Sequence, residues 1–288
     1  MKRGVIFEVI IKTILANTGN IEILKGLLIN AGVAQDAIIE CAQWPHTTLS
    51  VFFRSRPKAL SLKGKLRAFH LSDVSVILKS LEKKDWQTKW KTEFKPFSLT
   101  KTFAVIPLRY KHKHRIRTKV PIYIDTDLAF GTGLHATTRF MAQFIDRSKG
   151  KFESFLDIGT GTGILAMIAQ KCGAVDIKAV DICEGAVKVA RRNCLENDCA
   201  GIDVQMADAQ KNRSKKQYDF VAANILTQEL IRMADKIISR VKPGKYLAVS
   251  GISLSNYDVF RLAYAQYPLR CVKIEKGEGW AAILYKKI

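Results

Sequence analysis

"FLDIGTGTGILA", residues 155–166, is the stretch that decides the fold. An apolar run ends in Asp157, three glycines follow within five residues, at Gly159, Gly161 and Gly163, and an apolar helical pattern begins directly afterwards. Glycine lets the backbone turn sharply and come close to a ligand, and the start of a helix offers free N–H groups. The stretch therefore predicts a strand, a nucleotide-binding loop and a helix.

Further strand-like and helical patterns alternate from residue 150 onward. The strand-like runs read "SFLDI", "IKAVD", "IDVQMA", "YDFVAAN" and "YLAVSGI", and helical patterns begin near Gly163, Glu184, Gln228 and Ser255. Such alternation predicts a parallel sheet with helices on both faces. The last segment, "RCVKIEKGEGWAAILYKK", contains two strand-like runs around "KGEG", so we expect a hairpin whose final strand runs antiparallel to its neighbour.

The glycine loop also satisfies the dinucleotide pattern GxGxx(G/A), although a lone match of this kind is weak. Asp157 lies two residues ahead of Gly159. A carboxylate there is poorly placed beside a pyrophosphate, but it suits a cationic ligand such as S-adenosyl-L-methionine. Asp181 ends the second strand, where an acidic side chain can accept both ribose hydroxyls.

Polar residues also follow the next two strands. Asp208 comes after the third strand, where it can receive an adenine amino group, and Asn224 ends the fourth strand at the crevice where substrates enter such sheets. Any one of these residues alone can be a helix cap or a turn. Together with the hairpin they predict an α/β fold, a seven-stranded Rossmann-like class I methyltransferase sheet.

The front of the chain has a different organisation. Residues 1–80 show the order strand, helix, strand, strand, helix, strand, which is typical of a smaller α+β domain of the ferredoxin-like kind. Residues 81–120 show no regular spacing of apolar residues, and we interpret them as a connector that packs partly on the second domain. The methyltransferase domain is predicted over residues 121–288.

The charge is concentrated in the front half. The chain has 47 Lys and Arg against 26 Asp and Glu, and residues 1–125 hold 23 and 9 of these, a net charge of +14. Such a positive electrostatic field favours an acidic partner, and we expect RNA or an RNA-containing assembly. The alternative is a basic surface that contacts only solvent.

The sequence contains no apolar run of the roughly 18 residues that span a bilayer, so we expect no membrane association. The six cysteines include no CxxC pair and have no histidines at zinc spacing. We interpret them as reduced thiols of a cytoplasmic protein, and we expect no metal site.

Several motifs together resemble one family, PrmA, the large-subunit ribosomal protein L-11 methyltransferases. They are "DTDLAFGTGLHATT" (125–138), "DIGTGTGILA" (157–166), "VDI" (180–182), "VAANIL" (221–226) and "VSGI" (249–252). The resemblance implies methylation of lysine ε-amines and of the N-terminal amine of ribosomal protein L-11, with the N-terminal domain gripping that substrate. By position it implies cofactor contacts at Thr138, Gly159, Asp181 and Asn224.

Four residues near the first of these motifs are singled out, two because they depart from the family pattern and two for the roles that we expect of them. Leu134 and Ala136 stand where the family usually has Thr and Pro. His135 is interpreted as a helix-start residue of a flap over the cofactor, with substrate contact as the alternative. Phe130 is expected either to line the pocket with its ring face toward a cation or to pack in the core.

Asn224 is the residue that we expect to position the acceptor amine, because its side-chain oxygen can accept a hydrogen bond from it. Two other functions stay open at this point. One is methylation of another protein or of RNA on the same fold, which the basic front half favours. The other is a non-catalytic RNA-binding assembly factor, which has no physical need for every acidic and glycine position of the site.

Overall fold

The computed structural model describes residues 5–14, 18–33, 38–43, 46–53, 55–69, 74–82, 95–111, 119–125, 132–209 and 214–288. The chain divides into two compact units, Met1–Glu93 and Phe94–Ile288. The domain limits drawn from the sequence, at residues 80 and 120, remain predictions. Within the described ranges, no helix is both long enough and apolar enough to cross a bilayer.

The first unit has the predicted order of elements and is a ferredoxin-like sandwich. Its four strands form one sheet in the order β2-β3-β1-β4, and every neighbouring pair is antiparallel. The elements are β1 (Val5–Ile14), α1 (Thr18–Asn30), β2 (Ile38–Gln43), β3 (His46–Phe53), α2 (Arg56–Ala68) and β4 (Val74–Glu82).

The core of the first unit follows from the spacing of apolar residues along its helices and strands. Leu24 and Leu28 are four residues apart on α1 and both are buried. Val9 and Ile11, two residues apart on β1, are buried in the same core. Gly32, with φ of +87°, lies just beyond α1, where the left-handed backbone suits glycine at a helix end.

The second unit is built on a seven-stranded sheet in the order β10-β9-β8-β11-β12-β14-β13. Neighbouring strands are parallel from β10 to β12, and β14 is antiparallel to both of its neighbours. The elements are α3 (Ala136–Arg147), β8 (Ser154–Ile158), α4 (Ile164–Lys171), β9 (Asp176–Asp181), α5 (Glu184–Glu196), β10 (Asp203–Met206), β11 (Tyr218–Asn224), α6 (Thr227–Arg232), α7 (Ala234–Ser239), β12 (Val241–Ser253), α8 (Tyr257–Tyr264), β13 (Leu269–Gly277) and β14 (Trp280–Lys287).

The predicted C-terminal hairpin is confirmed. Glu278 and Gly279 form a two-residue connection between β13 and β14, and both have positive φ, +53° and +81°. Two successive left-handed residues give a turn whose twist matches that of paired strands. The seven-stranded class I arrangement predicted from the sequence is therefore correct, including its antiparallel final strand.

A three-stranded sheet, which the sequence did not predict, precedes α3. It consists of β5 (Phe97–Ser98), β6 (Phe103–Pro107) and β7 (Val120–Ile124), with β6 antiparallel to β5 and parallel to β7. All five residues of β6 are buried. A strand buried on both faces has no alternation of polar and apolar residues, so a search for periods misses it.

The sheet of the second unit brings the predicted site residues to one edge. Strands β8 and β11 are buried along almost their whole lengths between two apolar cores. Helices follow the strands and return the chain to the other side, so all the parallel strands end together. We call the edge where these strands end the carboxyl edge and the edge where they begin the amino edge.

Candidate cofactor and acceptor site

Asp157, near the end of β8, is the most buried carboxylate of the site, with no exposed surface. Its Oδ2 accepts a hydrogen bond of 2.7 Å from Thr160 Oγ1. Its Oδ1 is equally buried and no described residue forms a hydrogen bond with it. A buried carboxylate oxygen without a donor is costly, so this site suits a ligand that brings a donor or a positive charge.

The pKa of Asp157 reflects that environment. Burial, with a smaller contribution from the negative charge of Asp181, raises the pKa to about 7. The hydrogen bond from Thr160 and the nearby backbone N–H of Ala166 both lower the pKa, but by less than burial raises it. The Ala166 N–H does not form a hydrogen bond with Oδ1. Near neutral pH the group is thus divided between acid and anion, and a nearby cation favours the anion.

The three glycines of the loop differ in what a side chain at each position would contact. All three have positive φ, +73° at Gly159, +55° at Gly161 and +82° at Gly163. A Cβ atom on Gly159 would lie 2.5 Å from Ile225 Cγ2, and one on Gly163 would lie 3.3 Å from Ala190 Cβ. A Cβ atom on Gly161 would meet no atom within 4 Å. Gly161 therefore presents bare backbone to open space, as a ligand cradle requires.

Asp181 holds this loop in place. Its Oδ2 accepts a hydrogen bond of 2.9 Å from the Gly161 N–H, and its Oδ1 accepts one of 2.9 Å from the Cys183 N–H. Each carboxylate oxygen can accept more than one hydrogen bond, so both can still receive ligand hydroxyls. The Gly159 and Thr160 N–H groups donate to the Val180 carbonyl oxygen at 2.9 and 3.0 Å, which fastens the loop to β9.

Asp208 and Asn224 lie at the same edge of the sheet. Asp208 is half-buried two residues after β10, and the preceding Ala207 N–H donates to the Asp181 carbonyl oxygen at 3.0 Å. Asn224 is the last residue of β11, also half-buried, and none of the described residues forms a hydrogen bond with its side-chain amide. That amide is available to a ligand.

The start of α3 carries the upstream residues. Thr138 is buried in the first turn of the helix, and His135 immediately precedes it, as predicted. His135 Nδ1 lies 2.8 Å from Thr137 Oγ1, and its ring makes an edge contact with Trp280 at a centroid distance of 5.1 Å. Burial lowers the pKa of His135. Phe130 lies outside the residues that the structure describes, so its expected role stays a prediction.

Asn193 is a site residue that the sequence analysis missed. Its side chain is fully buried on α5, donates to the Thr162 carbonyl oxygen at 2.9 Å and accepts from the Asp125 N–H at 2.8 Å. Arg192 adds a 2.6 Å ion pair with Asp125. The glycine loop is thereby linked to the end of β7. The available signal was an asparagine inside the apolar stripe of α5.

Gly251 is the second missed residue. It lies at a bulge of β12 with φ of +88°, and a Cβ atom there would lie 2.0 Å from the Ile225 carbonyl oxygen. Its own carbonyl oxygen accepts a 3.0 Å hydrogen bond from Thr227 Oγ1. The missing side chain allows β12 to approach the residue that follows Asn224. A glycine inside a strand pattern is the sequence signal of such an approach.

Comparison with known proteins gives one family. The family described as "Ribosomal protein L11 methyltransferase (PrmA)" matches residues 8–288. A ribosomal protein L11 methyltransferase of Trichlorobacter lovleyi is 34% identical over 214 residues, which cover 72% of this chain and 70% of the relative. One of Burkholderia cenocepacia is 34% identical over 242 residues, covering 83% and 78%.

A solved structure gives the same result. The crystal structure of a ribosomal protein L11 methylase from Lactobacillus delbrueckii subsp. bulgaricus matches with a TM-score of 0.62 at 25% identity. The match covers 68% of this chain and 100% of that chain.

Proposed function

The chain belongs to the ribosomal protein L11 methyltransferase (PrmA) family, and from that premise we propose that it transfers methyl groups from S-adenosylmethionine to amino groups of ribosomal protein L11. The observation that carries the proposal is the buried Asp157, whose Oδ1 lacks a donor, beside the open backbone of Gly161. The carboxylate suits a cationic cofactor, and the open backbone provides room for it to approach closely. The acceptors are lysine ε-amines, the N-terminal amine, or both.

The residues present fit this cofactor. Asp157 offers negative charge for its α-ammonium group, and the open backbone at Gly161 provides room for close approach. Asp181 would receive ribose hydroxyls and Asp208 the adenine amino group. Thr138, at the start of α3, would contact the amino-acid end. When bound, S-adenosylmethionine supplies a methyl group on a sulfonium, ready for in-line transfer to a nucleophile.

Transfer requires a neutral acceptor amine. A lysine with a pKa near 10.4 must lose its proton at a free-energy cost of about 4.6 kcal/mol at pH 7. Withdrawal of the amine from water lowers this cost because burial disfavours the charged form. The Asn224 side-chain oxygen would accept a hydrogen bond from the amine and aim its lone pair. An amide oxygen is not basic enough to take the proton, so Asn224 acts by positioning.

We extend the proposal to partners and location. The first unit would grip the ribosomal protein, and its basic surface would contact ribosomal RNA. Helix α2 supports this contact, because it carries five cations and no acidic residue: Arg56, Lys58, Lys63, Lys65 and Arg67. An enzyme with this substrate would act in the cytoplasm.

One experiment tests the function. The protein is incubated with methyl-labelled S-adenosylmethionine and with either purified L11 or ribosomal subunits, before and after RNase treatment. Label in L11 that survives RNase supports the proposal. Label that disappears with the RNA would instead identify an RNA methyltransferase. Absence of cofactor binding would identify a non-catalytic factor.

A further inference from the structure

Charge is segregated between the two edges of the sheet in the second unit. The carboxyl edge holds the acidic residues Asp157, Asp181 and Asp208. The amino edge carries a group that we call the amino-edge cluster, with three carboxylates, Glu153, Asp176 and Asp219, and nine cations, Lys149, Lys151, Lys215, Lys216, Arg240, Lys242, Lys245, Lys286 and Lys287. Its net charge is +6, nearly the whole excess of +7 carried by residues 126–288.

Ion pairs with two carboxylates hold part of the cluster together. Asp219 Oδ1 lies 3.0 Å from Lys242 Nζ and 3.5 Å from Lys245 Nζ. Lys216, two residues before β11, has its Nζ 2.8 Å from Asp176 at the start of β9, so this ion pair spans the intervening strand β8. These ion pairs thus connect the starts of β9, β11 and β12, which lie at one edge of the sheet with β8 between β9 and β11.

Further contacts extend the same surface. The ring of Tyr218 lies 5.2 Å from Lys216 Nζ and 5.7 Å from the guanidinium carbon of Arg240. Lys287 Nζ donates to the Val241 carbonyl oxygen at 2.9 Å. The cluster therefore extends along this edge of the sheet from β9 to β14, the strand that pairs with β12.

Most of the positive charge is not neutralised inside the protein. Lys149, Lys151 and Lys215 are exposed and have no ion pair with any residue in the described part of the chain. Helices α3, α4, α5 and α7 end at this edge, and each helix end contributes about −0.5 charge, roughly −2 in all. That is smaller than the net charge of +6, so the edge remains strongly positive. Lys178 and Asp203 at the same edge form an ion pair and so add nothing to this net charge.

We propose that the amino-edge cluster is an RNA-binding surface that contacts the phosphate backbone. Lysine and arginine side chains on several adjacent strands match a repeating row of phosphates. A protein partner would instead need an apolar centre, and the cluster consists of charged side chains. The inference goes beyond the proposed methyl transfer, since the surface lies at the edge opposite the cofactor site and leaves that site open.

The test compares two triple variants of equal net charge. In the edge variant, Lys149, Lys151 and Lys215 become Gln. In the control variant, exposed cations elsewhere in the second unit become Gln, namely Lys188, Arg261 and Lys276. Both lower the formal net charge from +21 by three. Neither touches the lysines that pair with Asp219, so the fold is kept, which circular dichroism and the melting temperature verify.

Binding is measured by fluorescence polarisation of a fluorescein-labelled RNA stem-loop of arbitrary sequence over a range of salt concentrations. We expect the edge variant to bind at least about tenfold more weakly near 0.1 M salt, with a salt slope shallower by about 2. We expect the control variant to bind like the wild type. A third variant, with Arg56, Lys63 and Arg67 of α2 changed to Gln, measures the contribution of the first unit.

Four results would overturn the proposal. They are no RNA binding by the wild type, equal losses in the edge and control variants, a loss confined to the α2 variant, and displacement of RNA by polyglutamate as effectively as by the same charge of unlabelled RNA. The last result would identify a surface for an acidic protein. Methylation of free L11 by the wild type and by the edge variant is followed in parallel, and failure of the wild type to methylate L11 would count against the proposed function and not against RNA binding.

Discussion

Thr160 Oγ1 donates a 2.7 Å hydrogen bond to one oxygen of Asp157, while the other oxygen of that carboxylate is buried without a donor among the described residues. The protein thus supplies a hydrogen-bond donor to one oxygen of the carboxylate and leaves the other oxygen for a ligand. Because burial raises the pKa of Asp157 to about 7, this one side chain should couple cofactor binding to pH.

Cofactor affinity should rise as the pH rises through about 7, where Asp157 ionises. The cationic cofactor favours ionised Asp157, so binding below pH 7 releases a proton. The cofactor's own α-amine titrates near 7.7 to 8.0, so the difference between wild type and Asp157→Asn isolates the contribution of the carboxyl. Calorimetry in two buffers of different ionisation enthalpy measures proton release, and identical pH profiles for both proteins would refute the coupling.

Without cofactor, the same carboxyl should destabilise the fold at neutral pH. Its pKa is raised from 3.8 to about 7 by burial, so stability is highest below pH 4 with respect to this group and falls as pH rises to 7. The shift of about 3 units corresponds to roughly 4 kcal/mol. Asp157→Asn should therefore raise the free energy of unfolding at pH 8 and change it little at pH 4. Urea titrations at both pH values test this, with Asp203→Asn as an exposed control.

Asn224→Ala should reduce the rate of methyl transfer much more than it weakens cofactor binding. The Asn224 side chain lacks a protein partner in the described residues, and its proposed role is to position the acceptor amine. We expect a loss of about 100-fold in the single-turnover rate, equivalent to roughly 2.7 kcal/mol, and a change in cofactor Kd below about threefold. Equal losses in rate and affinity would contradict the positioning role.

Gly251→Ala should damage the site through Ile225. A Cβ atom 2.0 Å from the Ile225 carbonyl oxygen forces backbone to move next to Asn224. Gly244→Ala is the matched control, because Gly244 also has a left-handed φ, +72°, but a Cβ atom there would meet no atom within 4 Å. Both variants bear a conformational cost of about 1 kcal/mol. Only Gly251→Ala should lose a further 2 kcal/mol or so in urea unfolding, and equal losses would exclude the steric effect.

Gly161→Ala should leave the fold nearly intact and weaken the cofactor. A Cβ atom at this position meets no protein atom within 4 Å, so it would project into the space proposed for the ligand. We expect cofactor Kd to rise at least about tenfold, or roughly 1.4 kcal/mol. Gly150→Ala, at another left-handed glycine with open space, supplies the control for the backbone effect. Unchanged affinity in Gly161→Ala would place the ligand elsewhere.

Much of the fold was predictable because its signals are local. Asp157, Asp181 and Asn224 lie at or next to the ends of strands of five to seven residues, and glycines mark the turn that follows the first strand. A parallel sheet places all such ends at one edge, so spacing along the chain predicted proximity in space. The family resemblance carried by the same motifs is confirmed, while the individual cofactor and acceptor roles remain predictions.

The sequence by itself determined the order of elements, the ferredoxin-like and class I sheets and the residues at the carboxyl edge, because periodicity and turn chemistry act between near neighbours in the chain. The tertiary structure alone decided the three-stranded sheet before α3, the link from Asn193 to Asp125 and Thr162, and the close approach of Gly251 to Ile225. The contacts of Asn193 and Gly251 join residues 26 to 68 positions apart. They depend on how whole elements pack, which no local pattern of residues specifies.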